Sequence, residues 1–463
     1  MMKKLIIITN LNTKTTMKLH KTLFALAALT LAVVAKAQDY NEPKWIELTK
    51  EEQALVKGSI DFSFRLFKET RGDINQVISP LSVTYALGML NNGAEGVTRE
   101  EICQTLGFGE TGADGINAFC RKMLTELPAL DEQTKVMLSN AIFLNQPRYF
   151  LPEFLNIAHS YYEAETQARD FTDGETMDVI NQWVNDHTMG MIKQVFNETT
   201  FNPLAASYLL NAVYFKGVWT LKFDKDETKD EVFNGKETVP MMHMTNYLPY
   251  TENDDYQALA LPYGNEAYRM TVLLPREGKS IDNVLATLNA DTWLYRLQWM
   301  GIAEVDVKLP RMDITTSQDL VETMKALGMP SAFDPLTADI PNYVNIPQHI
   351  SNMFQVAKIK MDEEGTEAAA VTVIGTGDSG IPHEPEFYEF HADRPFLYII
   401  SEQSTGAILF IGQYMGENTT GIEQLVESSK ESVGSPIHNL SGQRLNKMQK
   451  GINIVGGRKI LHR

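Results

Sequence analysis

Cysteine is nearly absent from this 463-residue chain: Cys103 and Cys120 are the only two. No CxxC pair and no Cys/His cluster at ligand spacing occurs, which argues against a structural metal, and two cysteines cannot make a disulfide scaffold. Both are expected as small buried thiols on helices rather than as a mutual bridge. Basic residues are also in short supply, with 41 Lys and Arg against 59 Asp and Glu, a formal charge of −18 and a pI near 5.0. Phosphate groups would be repelled by such a chain, so nucleic acid and anionic membrane surfaces are poor general partners. The common enzyme signatures HExxH, P-loop and GxGxxG are missing, and neither a cofactor nor a metal is expected.

Long apolar runs are scarce too. The one strong run, Thr22 to Val34, follows Lys18, His20 and Lys21 and precedes Ala35-Lys36-Ala37, a small-x-small cleavage signal. It is short for a bilayer span and reads as the core of a signal peptide, residues 1–37, cut after Ala37. Met17 is an alternative start. No later stretch is long and apolar enough for a transmembrane helix, so the mature protein is expected to be exported: extracellular or on an outer cell surface, with the periplasm as the other compartment.

No internal repeat and no Gly/Ser linker interrupts residues 45–415, and one domain over 38–416 is the simplest reading. Its first half has helical spacing. Leu55, Val56, Ile60, Phe62, Phe64 and Phe67 recur along Glu51 to Phe67, and Ser79-Pro80 opens a second helix through Val83, Leu87 and Leu90. Thr98-Arg99-Glu100-Glu101 has the form of a capping box opening a third helix. Met177 to Met189 is helical again. Val136 to Leu144 is uncharged and suits a covered strand. Strands dominate later, at Ala206–Val218, Ala258–Leu261, Tyr268–Leu274, Val305–Leu309, Phe396–Ile400 and Ile408–Tyr414. Helices first and strands later, without regular alternation, predict an α+β fold. Residues 417–438 are polar and read as a linker. Residues 439–463 are basic, carry no acid, and alternate like two short strands around Gly456-Gly457. This tail resembles the C-terminal sorting segments of exported proteins in some Gram-negative bacteria.

One stretch mimics a catalytic centre. Gly377-Asp378-Ser379-Gly380-Ile381-Pro382 resembles the surroundings of the nucleophile in chymotrypsin-like proteases. A nucleophilic serine needs a histidine base oriented by a carboxylate, and in that family the histidine stands in an Ala-Ala-His-Cys type setting. None of the nine histidines does so here: His187 follows Asp186 in a helical pattern and His243 lies between two methionines. A protease is therefore disfavoured.

Met361 to Asp393 has a different logic. Ala357, Ile359 and Met361 alternate with Lys358 and Lys360, the pattern of a half-buried strand. The strand runs through Glu363-Glu364-Gly365 into Thr366-Glu367-Ala368-Ala369-Ala370-Val371-Thr372, and then into the Gly- and Pro-bearing sequence of residues 375–385. Taken alone, the alanines read as a helical turn. Taken two by two, Thr366, Ala368, Ala370 and Thr372 form a small, uncharged face. Such a face could enter a closed sheet without the steric or desolvation penalty of a bulky or charged side chain.

Glu363 to Thr372 resembles the hinge of inhibitory serpins, and further segments resemble that family in the same order. They are Asn75-Gln76-Val77-Ile78-Ser79-Pro80-Leu81-Ser82, Asn181-x-Trp183-Val184 with Thr188-x-Gly190-x-Ile192, and Asn211-Ala212-Val213-Tyr214-Phe215-Lys216-Gly217-Val218-Trp219. Leu309-Pro310-Arg311, Leu327-Gly328-Met329, Asp393-Arg394-Pro395-Phe396 and Thr405 to Gly412 complete the set, so the likeness spans roughly residues 45–415. The resemblance implies a single α+β domain with three β-sheets, about eight or nine helices and an exposed reactive-centre loop. It implies a monomeric suicide inhibitor of serine proteases, with cysteine proteases as a second class of partner. Gly365 would be the pivot; Glu363 would anchor at the top of the sheet beside Arg311 and Trp219; Ser79, Ser82 and Asn211 would control sheet opening. Where the family usually has histidine in that polar group this chain has Gln355, which cannot titrate. Counting from the hinge glycine as in the family puts the reactive bond at Ser379–Gly380. No Lys or Arg occurs between Met361 and Asp393, which disfavours trypsin-like targets; Val373, Ile374 and Ser379 favour elastase- or subtilisin-like ones, and Asp378 leaves an acid-preferring protease open. The alternative implied function is a non-inhibitory serpin-fold surface or binding protein. Such members tend to carry charged or bulky residues on the inward face of the hinge, and this chain does not.

Overall fold

The computed structural model describes residues 43–109, 111–198, 200–347, 349–366 and 386–416, and four short tail strands within 437–462. The expected signal peptide, most of the linker, Glu367 to Thr372, Ser379 and Gly380 lie outside the described residues.

Nine α-helices occur among the described residues: α1 (Lys50–Thr70), α2 (Pro80–Asn91), α3 (Gly96–Leu106), α4 (Ala113–Glu126), α5 (Pro152–Tyr162), α6 (Gly174–His187), α7 (Ile281–Ala286), α8 (Ala290–Gln298) and α9 (Val321–Ala326). The strands of the first half are β1 (Gln76–Ile78), β2 (Lys135–Asn145), β3 (Glu165–Arg169) and β4 (Ser207–Val218). Next come β5 (Lys229–Phe233), β6 (Glu237–Glu252), β7 (Tyr256–Tyr263), β8 (Tyr268–Pro275) and β9 (Gly301–Pro310). The last are β10 (Met312–Asp319), β11 (Met353–Asp362), β12 (Gly365–Thr366), β13 (Phe387–His391), β14 (Phe396–Glu402) and β15 (Ile408–Tyr414).

The helix expected at Glu51 to Phe67 begins one residue earlier, at Lys50, because Thr49 and Glu52 close a reciprocal capping box. The capping box expected at Thr98 does not form. α3 starts at Gly96 with Glu95 at its N-cap, and Thr98 is buried inside the first turn, its hydroxyl accepting from the Asp339 amide. A distant loop has claimed the group that the local pattern assigned to a cap. Pro80 opens α2, a helix buried along its whole length, as a helix apolar on every side must be. Cys103 and Cys120 are unpaired and buried on α3 and α4, and burial pushes the Cys120 thiol up to about 12.

Three sheets were expected in the domain; hydrogen bonding among its described residues makes two. The larger runs β1-β15-β14-β8-β7-β6-β9-β13, with β5 on β6. Two of the expected sheets merge because the 16-residue β6 pairs with β9 over Met241–Tyr250 and with β7 over Tyr250–Glu252. The smaller runs β10-β11-β12-β4-β2-β3. In the tail, where two strands were expected, four form one sheet: Ile437–Asn439, Arg444–Leu445, Gly451–Val455 and Arg458–His462, the last two paired antiparallel.

The faces of the smaller sheet follow its alternation. Val213 and Phe215 of β4 and Ala357, Ile359 and Met361 of β11 join the main core with Leu81, Val83 and Leu87 of α2. On the other face Leu210, Ala212 and Val356 join a second core under α6, built on Ile180, Trp183 and Val184. Lys358 is half-buried and Lys360 exposed. No helix among the described residues is long and apolar enough to cross a membrane.

Candidate functional site

The functional geometry lies between β4 and β11. Their parallel pairing covers Met353–Ala357 against Leu209–Val213 and goes no further among the described residues. At the far end the two-residue β12 sits between them. Gly365 and Thr366 pair antiparallel with Asp362 and Met361 of β11, and with Val218 and Gly217 of β4. Lys358 to Lys360 and Tyr214 to Lys216 thus border a slot that no strand among the described residues fills, closed below by β4–β11 pairing and above by β12.

Gly365 makes the upper closure possible. Its φ is +146°, and a Cβ there would stand 2.2 Å from the Gly217 carbonyl oxygen and 2.8 Å from Val218 Cα. Only glycine fits both the dihedral and the approach. Backbone bonds then fix the hairpin before it: the Trp219 amide donates to the Glu364 carbonyl at 2.9 Å, and the Phe223 amide to that of Glu363 at 3.1 Å. Trp219 Nε1 donates to the Asp362 carbonyl at 2.9 Å, and its ring stacks on Tyr263 at 4.3 Å. Tyr263 in turn shares a 2.7 Å hydrogen bond with the Thr366 hydroxyl, holding it inward.

Two carboxylates lock this turn. Glu363, 1 % exposed, accepts from Arg311 Nε at 2.8 Å and from the Thr228 hydroxyl. Burial pushes its carboxyl up, but the bonds from Arg311 and Thr228 outweigh it and hold the group below its ordinary value. Glu364 is gripped by Lys222 at 2.7 Å and Lys225 at 3.0 Å, and their hydrogen bonds lower its carboxyl too.

A second polar cluster lies at the slot's lower edge. Gln355 Nε2 donates to the Ser79 carbonyl at 2.8 Å and to Ser82 Oγ at 2.9 Å, while its Oε1 accepts from the Ser79 amide at 3.1 Å. One amide side chain thereby ties β11 to the start of α2 with donors and acceptor both in use. Asn211, beside Gln355 in register, donates to Asn140 Oδ1 at 2.8 Å and to the Ser82 carbonyl at 3.4 Å. Ser79 Oγ and Asn211 Oδ1 are buried without a hydrogen-bond partner among the described residues.

The expected site residues that are described therefore fall into two groups: Glu363, Glu364, Gly365, Thr366, Trp219 and Arg311 above the slot, and Ser79, Ser82, Asn211 and Gln355 below it. Sequence reasoning missed Thr228, Lys222, Lys225, Tyr263 and Asn140. The two lysines follow Trp219 at intervals of three, a spacing that could have been matched to the two glutamates; nothing local marks Thr228 or Asn140.

Comparison with known proteins points to one family. The family described as serpin (serine protease inhibitor) matches residues 57–416. An uncharacterized serpin-like protein of Thermococcus kodakarensis is 35% identical, over 79% of this chain and 86% of its own length. Among solved structures, the thermophilic serpin tengpin in its native state superposes with a TM-score of 0.72 at 29% identity, covering 81% of this chain and 96% of tengpin. Human thyroxine-binding globulin in complex with its hormone superposes with a TM-score of 0.71 at 27% identity, covering 78% and 98%.

Proposed function

The chain belongs to the serpin family, a class of protease inhibitors rather than enzymes, and on that premise we propose that it is an exported bacterial inhibitor acting as a suicide substrate. A target protease cleaves the segment after Thr366 and is held as an acyl-enzyme while that segment enters the slot as a new strand. The observation that carries this reading is Gly365–Thr366 already seated between β11 and β4 at the slot's upper end.

The same register supports the rest. Extended down the slot, it sets Ala368 between Phe215 and Ile359; continued past the slot as the β4–β11 pairing parts, it sets Ala370 between Val213 and Ala357, and Thr372 between Asn211 and Gln355. The two alanines meet the main core, where larger side chains would overpack. Thr372 arrives where Asn211 Oδ1 and Ser79 Oγ have no partner, so its hydroxyl has an acceptor to donate to. The strand is filled on both edges, which makes the intact fold the less stable one and drives the change.

Ser379–Gly380 is the reactive bond in this reading, and elastase- or subtilisin-like serine proteases are the targets. Residues 1–37 direct export, 417–438 link, and 439–463 act as a sorting segment. The test is to incubate the mature chain, beginning at Gln38, with elastase, subtilisin and trypsin, and to examine the products by denaturing gel and mass spectrometry. A detergent-stable complex with elastase or subtilisin, and peptide masses ending at Ser379, are expected. Clean cleavage with full protease activity across a wider panel would leave the non-inhibitory surface or binding protein, and thyroxine-binding globulin in complex with its hormone is an instance of binding in this fold.

A further inference from the structure

The outward side of the slot is distinct from the inward side that accepts the small face. On that side stand Lys216 of β4 and Lys360 of β11, with Lys135 of β2 directly opposite Lys216. Like charges opposed across a strand pair repel. No carboxylate among the described residues contacts Lys216 or Lys135; Lys135 instead lies 3.7 Å from Met189 Sδ and over the Tyr214 ring. Asp313, opposite Lys360, is held by Lys358 at 3.2 Å. Below the slot, where β4 and β11 pair directly, the same side is apolar: Ala212 with Val356, then Leu210 with Phe354, under α6.

We propose that Lys216 and Lys360 form a two-sided clamp for a single carboxylate, that of Glu367, and that this clamp fixes the register of the entering strand. The inference rests on the inhibitory reading and deepens it. Continuing the pairing of Thr366 with Gly217 and Met361 by one residue puts Glu367 between Lys216 and Lys360. Two steps further on that face, Ala369 meets Tyr214 and Lys358; then Val371 meets Ala212 and Val356, and Val373 meets Leu210 and Phe354. The occupant's outward side therefore runs acid, small, apolar, apolar, against a slot that runs cationic, mixed, apolar, apolar. A slip of one residue would turn Glu367 into the main core and the two valines away from α6, which the desolvation of a carboxylate forbids. Among the described residues neither lysine has a carboxylate partner in the slot, so the clamp favours the inserted state.

The test uses the mature chain and a protease with which it forms a covalent complex. Insertion competes with deacylation, so the ratio of released, cleaved inhibitor to covalent complex reports the rate of insertion. At low salt E367Q is expected to raise that ratio about two- to tenfold, the range of two partly exposed ion pairs. K216Q/K360Q should raise it as far, and E367Q added to those replacements should have no further effect. High salt should shrink all three differences. Separately, E367C/K360C should form a disulfide after loop cleavage and not before, whereas E367C/I359C should form none. An unchanged ratio in E367Q, an E367Q effect that survives removal of both lysines, or a crosslink to residue 359 would overturn the clamp while leaving inhibition standing. Absence of any covalent complex in the unaltered chain, together with no rise in thermal midpoint on cleavage, would instead overturn the inhibitory reading and the clamp with it.

Discussion

At the residue scale the hinge depends on one missing methyl group. In Gly365→Ala the added Cβ meets backbone atoms of Gly217 and Val218, and none of these can rotate away. The dihedral of +146° is itself closed to alanine. The expected result is that β12 unseats, at a penalty of about 1–3 kcal/mol for the strained position. Thermal denaturation of the intact protein would read this as a lowered midpoint, and the replacement should also divert inhibitor from covalent complex to cleaved product. The neighbouring glutamates give a pH dependence. Both carboxyls are held below their ordinary value of 4.5, so the native fold binds fewer protons there than the unfolded chain does. Their contribution is complete above pH 4.5 and is lost as pH falls through the lowered native values. Acid should therefore release the turn, and Glu363→Gln should weaken the fold at neutral pH while flattening its acid dependence, measured as denaturation midpoint against pH. Gln355 adds no titration of its own, so no transition between pH 6 and 7 is expected from the lower cluster.

At the scale of elements, the question is what keeps β4 and β11 together below the slot. Five residues of parallel pairing do part of it, and Gln355 does the rest by joining β11 to α2. Gln355→Leu keeps the volume and removes three hydrogen bonds, leaving the Ser79 amide buried without its partner, while the Ser79 carbonyl keeps the Ser82 hydroxyl at 2.9 Å. The orphaned amide costs about 1–3 kcal/mol. The predicted phenotype is a lower denaturation midpoint and faster spontaneous opening, detected as self-association through the slot on gels run without denaturant; a midpoint equal to the unaltered chain would remove Gln355 from this role. How much of this could be read from the chain follows the same division. The alternation of Ala357, Ile359 and Met361 and the glycine after it are local patterns, and they are found as β11 and the turn into β12; the small face beyond was named a hinge through the resemblance, and from Glu367 on it lies outside the described residues. Helix α2 was legible from Ser79-Pro80 and its apolar run. The merging of two expected sheets through β6 was not, because continuity of a strand across a bend leaves no period in the sequence. Nor was the fate of Thr98, which a loop over two hundred residues away decides through Asp339. Thr228 and Asn140 escaped for the same reason: their partners are set by the tertiary fold alone.

At the scale of the whole molecule, the proposed mechanism makes the slot a binding site for the chain's own segment, and a competitor should be able to take it. A synthetic peptide with the sequence of residues 366–379 carries the inward Thr366, Ala368, Ala370 and Thr372, the outward Glu367, and the valines that meet the α6 side. Its annealing would add main-chain hydrogen bonds on both edges, each worth about 0.5–1.5 kcal/mol net, and so on the order of 10 kcal/mol along the strand. Incubated with the intact protein, it should raise the thermal midpoint without any cleavage. The loaded protein should then behave as a substrate: protease cuts the loop, no covalent complex forms, and protease activity is retained. A scrambled peptide of the same composition should do neither. The two readouts must move together, because both follow from occupation of one slot. A peptide that raised the midpoint and left inhibition intact would mean that it binds elsewhere, and that the space between β4 and β11 is not where the energy of inhibition is stored.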